Sequence, residues 1–294
     1  MLCTVYNDGS HYIAYQKVKS KYNFPKQKRF EDLTDMDKSF ELYYSESVFQ
    51  GLSIPEQKKL VREKIAGEFG DGGDILDNWI EEKFSVKLKN IELRKKRFKR
   101  KAFLNKWNYF VTFTYDDKKH SEESFKNKLR KSLSNFSSRR GWRVMGIWEY
   151  GAEEKRLHFH ALLYVPDNEM VGEIVEKKEY SKKQHKMVVR HENTFFRKFG
   201  INDFAKLSEG SLSKGKTLDY ILKYITKTNE KIVYSRCIKC EFECEVVEDD
   251  VVCEMSDFVI KYVLFDELYD YKCKRALGLI EYVEYNDVET VSLE

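Results

Sequence analysis

The stretch Leu157-His158-Phe159-His160-Ala161-Leu162-Leu163-Tyr164-Val165 decides the fold that this sequence predicts. Successive side chains of a β-strand point to opposite faces of the sheet, so His158 and His160 share one face. The apolar side chains that share the other face, and that we expect in a core, are Leu157, Phe159, Ala161 and Leu163. The strand therefore offers two imidazoles on one side, and imidazole is the commonest side-chain ligand for metal ions.

A second predicted strand, Val144–Tyr150, precedes this one and is joined to it by a short polar loop. If the strands pair so that Tyr150 lies opposite Leu157, Glu149 lies opposite His158 and on the same face. A slip of one residue would turn Glu149 to the other face, so this prediction depends on the register. Imidazole and carboxylate ligands together suit Mg²⁺, Mn²⁺ or Zn²⁺. The predicted metal ligands are Glu149, His158 and His160.

A third segment, Tyr220-Ile221-Leu222-Lys223-Tyr224-Ile225-Thr226-Lys227, has the periodicity of an amphipathic helix. Tyr220 and Tyr224 are four residues apart, so both hydroxyls can reach one site. Because a phenol has a reference pKa of about 10, its attack on a phosphodiester requires cations that stabilise the developing negative charge. The candidate catalytic residues are Tyr220, Tyr224, Lys223 and Lys227.

These segments resemble the motifs of the HUH endonucleases, and most closely those of rolling-circle replication initiators of single-stranded DNA phages of the microvirus type, or of plasmids. Phe110-Val111-Thr112-Phe113-Thr114-Tyr115-Asp116-Asp117 is similar to the first motif. Glu149-Tyr150-Gly151 through His158-Phe159-His160 is similar to the second, and Tyr220 to Lys227 to the third. The resemblance spans roughly residues 106–232. Leu157 stands where many phage relatives have proline.

The resemblance implies a site-specific endonuclease and strand transferase that nicks single-stranded DNA at a replication origin. Tyr220 would form a 5′-phosphotyrosyl bond and release a 3′-hydroxyl, and Tyr224 would carry out the second transesterification. A divalent ion, Mg²⁺ or Mn²⁺, would orient and polarise the phosphate. The implied partners are origin DNA, a host helicase and a host polymerase, with no role for a membrane.

The sequence predicts an α+β protein with a central antiparallel sheet, the HUH or RRM-like core, which carries the histidine strand between flanking helices. We predict a helical, basic N-terminal extension over 1–105, the catalytic core over 106–232 and an acidic, β-rich segment over 233–294. Helices are expected at residues 57–69, after Pro55, and at residues 75–102. A hairpin of Glu241–Val247 with Val251–Met255 is expected in the last segment.

The net charge of +4 hides a strong asymmetry along the chain. Residues 83–106 contain eleven Lys or Arg residues against one acid, whereas residues 241–294 contain sixteen acids against four basic residues. A cationic helix before the core suits contact with phosphates, although a solvated helix face is the alternative. The predicted DNA-binding residues are Lys95, Lys96, Arg97, Lys99, Arg100, Lys101, Thr112, Thr114, Lys214 and Lys216.

Other patterns point to competing functions. Gly210 to Thr217 matches the phosphate-loop pattern, but too few residues follow to build a nucleotide-binding α/β core, so we favour a basic loop that leads DNA toward Tyr220. Cys237 and Cys240 have zinc-ligand spacing, but Cys244 and Cys253 do not form a second tight pair.

The alternatives to an initiator are an HUH transposase or relaxase using the same residues, and an inert nucleic-acid-binding module. Neither a signal peptide nor a long apolar run is present in the sequence, so we expect reduced cysteines and a cytoplasmic location, in the host if the gene is viral.

Overall fold

The computed structural model describes residues 1–16, 30–151, 156–181, 185–207, 216–227, 230–255, 260–264, 267–270 and 275–279. The helices are α1 (Asp35–Gln50), α2 (Ile54–Phe69), α3 (Asp74–Leu104), α4 (Glu122–Arg140) and α5 (Lys216–Lys227). The strands are β1 (Leu2–Asn7), β2 (Tyr12–Tyr15), β3 (Tyr109–Tyr115), β4 (Arg143–Tyr150), β5 (Leu157–Tyr164), β6 (Ile174–Ser181), β7 (Lys186–Asn193), β8 (Gly200–Lys206), β9 (Val233–Tyr234), β10 (Phe242–Glu245), β11 (Val251–Met255), β12 (Lys261–Leu264), β13 (Glu267–Asp270) and β14 (Arg275–Leu279).

The chain divides into two compact units. The first unit consists of Met1–Phe24, Lys96–Lys106 and Ile238–Glu294, and the second consists of Pro25–Lys95 and Trp107–Cys237. Helices and antiparallel sheets are both present in the described residues, as an α+β protein requires.

A five-stranded antiparallel sheet in the order β8-β3-β5-β4-β9 forms the centre of the second unit. The histidine strand β5 is the middle strand, with β3 and β4 as neighbours. Tyr150 pairs with Leu157, so Glu149 lies opposite His158. The predicted strand pair and its register are therefore confirmed.

One face of this sheet carries an aromatic core. Phe113 and Phe159 are fully buried there, and Trp148 packs against Phe159 with a ring-centroid separation of 4.5 Å. Helix α4 covers this face with Phe125, Leu129 and Leu133. Burying a side chain of this size contributes about 1.5–3 kcal/mol relative to leaving it in water, so this face supplies much of the stability of the unit.

Helix α5 packs against β4, which places the tyrosine helix against the central sheet. Its apolar residues are all buried, namely Leu218, Ile221, Leu222 and Ile225, whereas Tyr220 and Lys223 on its other arc are exposed. The predicted amphipathic helix is confirmed. Its apolar face holds it in place, and the other arc keeps its polar groups available.

The N-terminal half of the second unit contains α1, α2 and the start of α3. Thr34 caps α1 by accepting a hydrogen bond from the backbone N–H of Asp37, and Gly51 ends the helix in the left-handed conformation that glycine adopts without strain. Ser53 and Glu56 form a capping box at the start of α2. The three helices share a core that contains Phe40, Tyr44, Val61, Ile65 and Phe84. The helices predicted at residues 57–69 and 75–102 are confirmed.

The first unit contains a second five-stranded sheet in the order β10-β1-β2-β12-β11. The predicted hairpin of Glu241–Val247 with Val251–Met255 is wrong, because β10 pairs with β1 and β11 pairs with β12 at opposite edges of this sheet. The N-terminal strands β1 and β2 separate them, and local patterns give no information about so distant a pairing.

No helix among the described residues is both long enough and apolar enough to cross a membrane.

Candidate active site

Two threonines of β3 hold the two histidines of β5. Thr112 lies opposite His160 and Thr114 opposite His158, so the four side chains share one face of the sheet. The hydroxyl of Thr112 lies 3.1 Å from His160 Nδ1, and that of Thr114 lies 3.0 Å from His158 Nδ1. Both imidazoles are therefore held at Nδ1, which fixes the direction of the other ring nitrogen.

Glu149 contacts His160 rather than the residue directly opposite it. Its Oε2 lies 3.0 Å from His160 Nε2, and the two side chains are only 15% and 6% exposed. A charged hydrogen bond with little access to water is stronger than the same contact at the surface. The carboxylate therefore restrains the His160 ring from the side opposite Thr112.

The two tyrosines of α5 lie over this pair. The ring of Tyr224 stacks on that of His160 at 4.9 Å, and the ring of Tyr220 meets His160 edge-on at 5.6 Å. The two tyrosine rings are 5.0 Å apart. The four-residue spacing has thus brought both phenols to one imidazole, as the helical pattern predicts.

The two phenols have different surroundings. Tyr220 is 41% exposed, whereas Tyr224 is partly buried. Burial raises the pKa of Tyr224, and its hydrogen bond with Tyr220 and the negative charge of Glu149 raise it further. Tyr220 is therefore the phenol that a strand of DNA reaches more easily, and Tyr224 is the one held more firmly in the protonated form.

Sequence reasoning missed two contributors to the site. Phe110 stacks its ring on His160 at 6.2 Å and meets Tyr220 edge-on at 5.9 Å. Its alternation with Thr112 and Thr114 along β3 was the signal that places it on this face. Gly151 is the second, because a Cβ atom there would lie 3.1 Å from His158 Nε2.

Within the described residues, no three His, Cys, Asp or Glu side chains are grouped closely enough to hold a metal ion. The donor chemistry of Glu149, His158 and His160 nevertheless fits a divalent ion, since both imidazoles have the orienting contact at Nδ1 that metal-binding histidines usually have. Their assignment as metal ligands stays a prediction.

The predicted lysines of the site are only partly described. Lys223 is exposed on the same arc of α5 as the tyrosines. The backbones of Lys216 and Lys227 are the two ends of α5, but their side chains lie outside the described residues. Lys214 and most of the phosphate-loop pattern also lie outside them.

The basic residues of α3 have unequal surroundings. Lys96, Arg97 and Lys99 are exposed. Arg100 instead places its guanidinium 3.6 Å from the ring centroid of Tyr6, and Lys101 donates a hydrogen bond to the carbonyl oxygen of Ile238 at 2.5 Å. Lys95 pairs with Glu92 at 2.8 Å. The exposed residues are the ones that remain suited to phosphate contact.

Cys3, Cys237, Cys240, Cys244 and Cys253 are free thiols. Cys244 faces Cys3 across β1 and β10, and both are buried. Burial raises the pKa of the Cys244 thiol to about 11. A thiol that stays protonated is a poor zinc ligand, so the geometry gives the zinc hypothesis no support.

The fold and the site together define a class of protein: an α+β protein in which a histidine strand of an antiparallel sheet faces a helix with two tyrosines. Residues 108–229, which hold β3 to β8 and α5, match the sequence model of a family of replication-associated proteins, described as the ORF2 and gene-two protein family. This segment is thus similar to Rep-type replication initiators, although it is less than half of the chain. No curated protein and no solved structure matches the chain.

Proposed function

We propose that the protein initiates rolling-circle replication by nicking and rejoining single-stranded DNA at an origin, as an endonuclease of the HUH type. One observation carries the proposal: within the segment that is similar to replication-associated proteins, two tyrosines of one helix contact His160, which is bonded to Glu149 and Thr112. Nucleophile and orienting groups within contact distance are the signature of covalent catalysis.

The proposed nick is a transesterification. The Tyr220 oxygen loses its proton and bonds to the scissile phosphorus while the bond from phosphorus to the 3′-oxygen breaks. The 3′-oxygen takes up a proton and leaves as a free 3′-hydroxyl that a host polymerase can extend. Exposure of Tyr220 supports its role as the first nucleophile. Tyr224 then attacks a second phosphate, which resolves the strand that a host helicase has displaced.

A divalent ion, Mg²⁺ or Mn²⁺, supplies Lewis-acid polarisation of the phosphate when bound. Glu149, His158 and His160 would hold it. Thr112 and Thr114 orient the imidazoles, and loss of the proton that joins His160 Nε2 to Glu149 frees both groups to act as ligands. Lys223 lies on the tyrosine arc, where a cation stabilises a phenolate.

The test incubates the purified protein with Mn²⁺ and end-labelled single strands from the genome that encodes it, and detects covalent adducts on a denaturing gel. We expect a metal-dependent adduct that is absent in Tyr220→Phe. Tyr115→Phe is the matched control, because Tyr115 bonds the carbonyl oxygen of His120 and makes no contact with the tyrosine helix among the described residues. An adduct that persists in Tyr220→Phe and disappears in Tyr224→Phe would reverse the order of attack.

An inert single-strand-binding module is the second candidate. The observation in its favour is that the described residues do not group three metal ligands, while exposed cations follow α3. Under this alternative, cognate DNA binds but no adduct forms, and Tyr220→Phe changes nothing. A transposase or relaxase would form the same adduct on different DNA.

A further inference from the structure

A cavity of about 960 Å³ lies in the second unit next to the tyrosines and histidines. Glu149 lines it, and so does Thr226, two residues beyond Tyr224 on α5. The rest of its wall comes from the end of α1, the start of α2, α4, β4 and residues 230–233. Its volume is at the upper end of the range for ligand-binding pockets. The cavity is therefore continuous with the site but built largely from helices outside the matched segment.

An aromatic side chain is exposed at this cavity. Phe49, in the last turn of α1, is 55% exposed, and its ring lies 5.5 Å from that of Tyr150, which also lines the cavity. Exposed aromatic rings beside a groove are the platforms on which proteins stack unpaired bases. An isolated exposed phenylalanine is unremarkable by itself, so the argument depends on what surrounds it.

Two cations of the cavity wall are available to a ligand. Lys126 is committed to Glu230 at 2.6 Å. Arg130 and Lys231 are exposed, and neither forms an ion pair with another described residue. Cations held at the edge of a pocket without a carboxylate partner suit a phosphate.

A buried amide in the wall lacks a partner. Gln57 of α2 is only 6% exposed, and its Nε2 donates a hydrogen bond to the carbonyl oxygen of Leu52 at 2.7 Å. Its Oε1 has no hydrogen-bond partner in the described part of the chain. Buried acceptors are normally satisfied, so an unsatisfied one indicates a missing donor. Every nucleobase carries N–H donors on its edge.

We infer that this cavity binds an unstacked nucleotide of the single-stranded DNA substrate, beside the nucleotides that reach Tyr220. The base stacks on Phe49 and directs an N–H group toward Gln57, and the phosphate lies at Arg130 and Lys231. The identity of the ligand rests on the proposed function. The helices α1 and α2 then take part in substrate selection, because they supply the base-contacting residues.

The experiment measures fluorescence anisotropy of a labelled oligo(dT) and of a strand of equal length that lacks bases, without metal and with the Tyr220→Phe protein, so that binding is separated from nicking. We expect oligo(dT) to bind at least about five-fold more tightly than the baseless strand, the effect of one stacked base. Phe49→Ala should remove most of this preference. Phe69→Ala is the matched control, because Phe69 is 48% exposed at the end of α2 and does not line the cavity.

Two further variants separate base from phosphate contacts. Gln57→Leu should weaken binding of oligo(dT) only, whereas Arg130→Gln should weaken binding of both strands and Arg139→Gln, outside the cavity, neither. Equal affinity of the parent protein for the two strands, or equal losses in Phe49→Ala and Phe69→Ala, would overturn the inference. Base-dependent binding that depends on Phe49, combined with no adduct in the nicking test, would uphold the inference and reject the proposed function.

Discussion

The two faces of the central sheet use the same three strands for opposite purposes. On one face, β3, β4 and β5 supply Phe113, Trp148 and Phe159 to a core from which water is excluded. On the other face, the residues that alternate with these are Thr112, Glu149 and His160, which bond to one another. The difference teaches that position along a strand determines chemistry here: a shift of one residue exchanges a packing role for a polar one.

The comparison predicts that the two faces fail differently, and the core face should show the largest effect. Phe159→Ala removes a fully buried ring, so the free energy of unfolding should fall by about 3–5 kcal/mol. Denaturant unfolding of the variant measures this. Phe69→Ala, at an exposed position, should change it by less than 1 kcal/mol or so. A loss of similar size in both variants would contradict the assignment of the core.

A charge change on the polar face should alter activity and leave stability nearly unchanged. Glu149→Gln keeps the size of the side chain but removes the charge, so the rate of adduct formation should fall by on the order of 100- to 1,000-fold. Single-turnover kinetics with labelled DNA measure the rate. The control is Glu173→Gln at an exposed carboxylate, which should be silent. An unchanged rate in Glu149→Gln would remove this residue from the site.

The threonines sharpen the comparison, because they act through the histidines. Thr112→Val and Thr114→Val should each raise the Mn²⁺ concentration required for half-maximal adduct formation by about 10- to 100-fold, since the imidazoles lose their orienting contacts. A Mn²⁺ titration at fixed DNA measures the shift. Thr112→Ser retains the hydroxyl and should restore the parent curve. If serine and valine behave alike, the hydroxyl has no orienting role.

The smallest effect is expected away from both faces. Lys96→Ala, Arg97→Ala and Lys99→Ala should each reduce the slope of log affinity against log salt by about 0.7, the value for one contact to single-stranded phosphate. Affinities for oligo(dT) at several salt concentrations measure the slope. Arg100→Ala is the control, because its guanidinium rests on Tyr6. Slopes that stay constant in the first three variants would show that α3 has a solvated face only.

Local patterns in the sequence predicted the parts of the fold whose determinants are close together along the chain. Alternation set the pairing of Tyr150 with Leu157, and helical periodicity set α5. The pairing of β10 with β1 joins residues more than 200 positions apart, and no local pattern encodes it. In the site, alternation placed Glu149 on the correct face, but its bond to His160 depends on side-chain torsions that a sequence does not specify.

The hairpin between β4 and β5 closes with a hydrogen bond from the backbone N–H of Gly151 to the carbonyl oxygen of Arg156, 2.8 Å in length. The ladder that aligns Glu149 with His158 is complete at this pair, so alignment does not depend on how many residues connect them. Over evolutionary time, insertions and deletions are therefore expected to accumulate at positions 152–155 in related sequences, while the number of residues between Glu149 and Gly151, and between Arg156 and His160, stays constant.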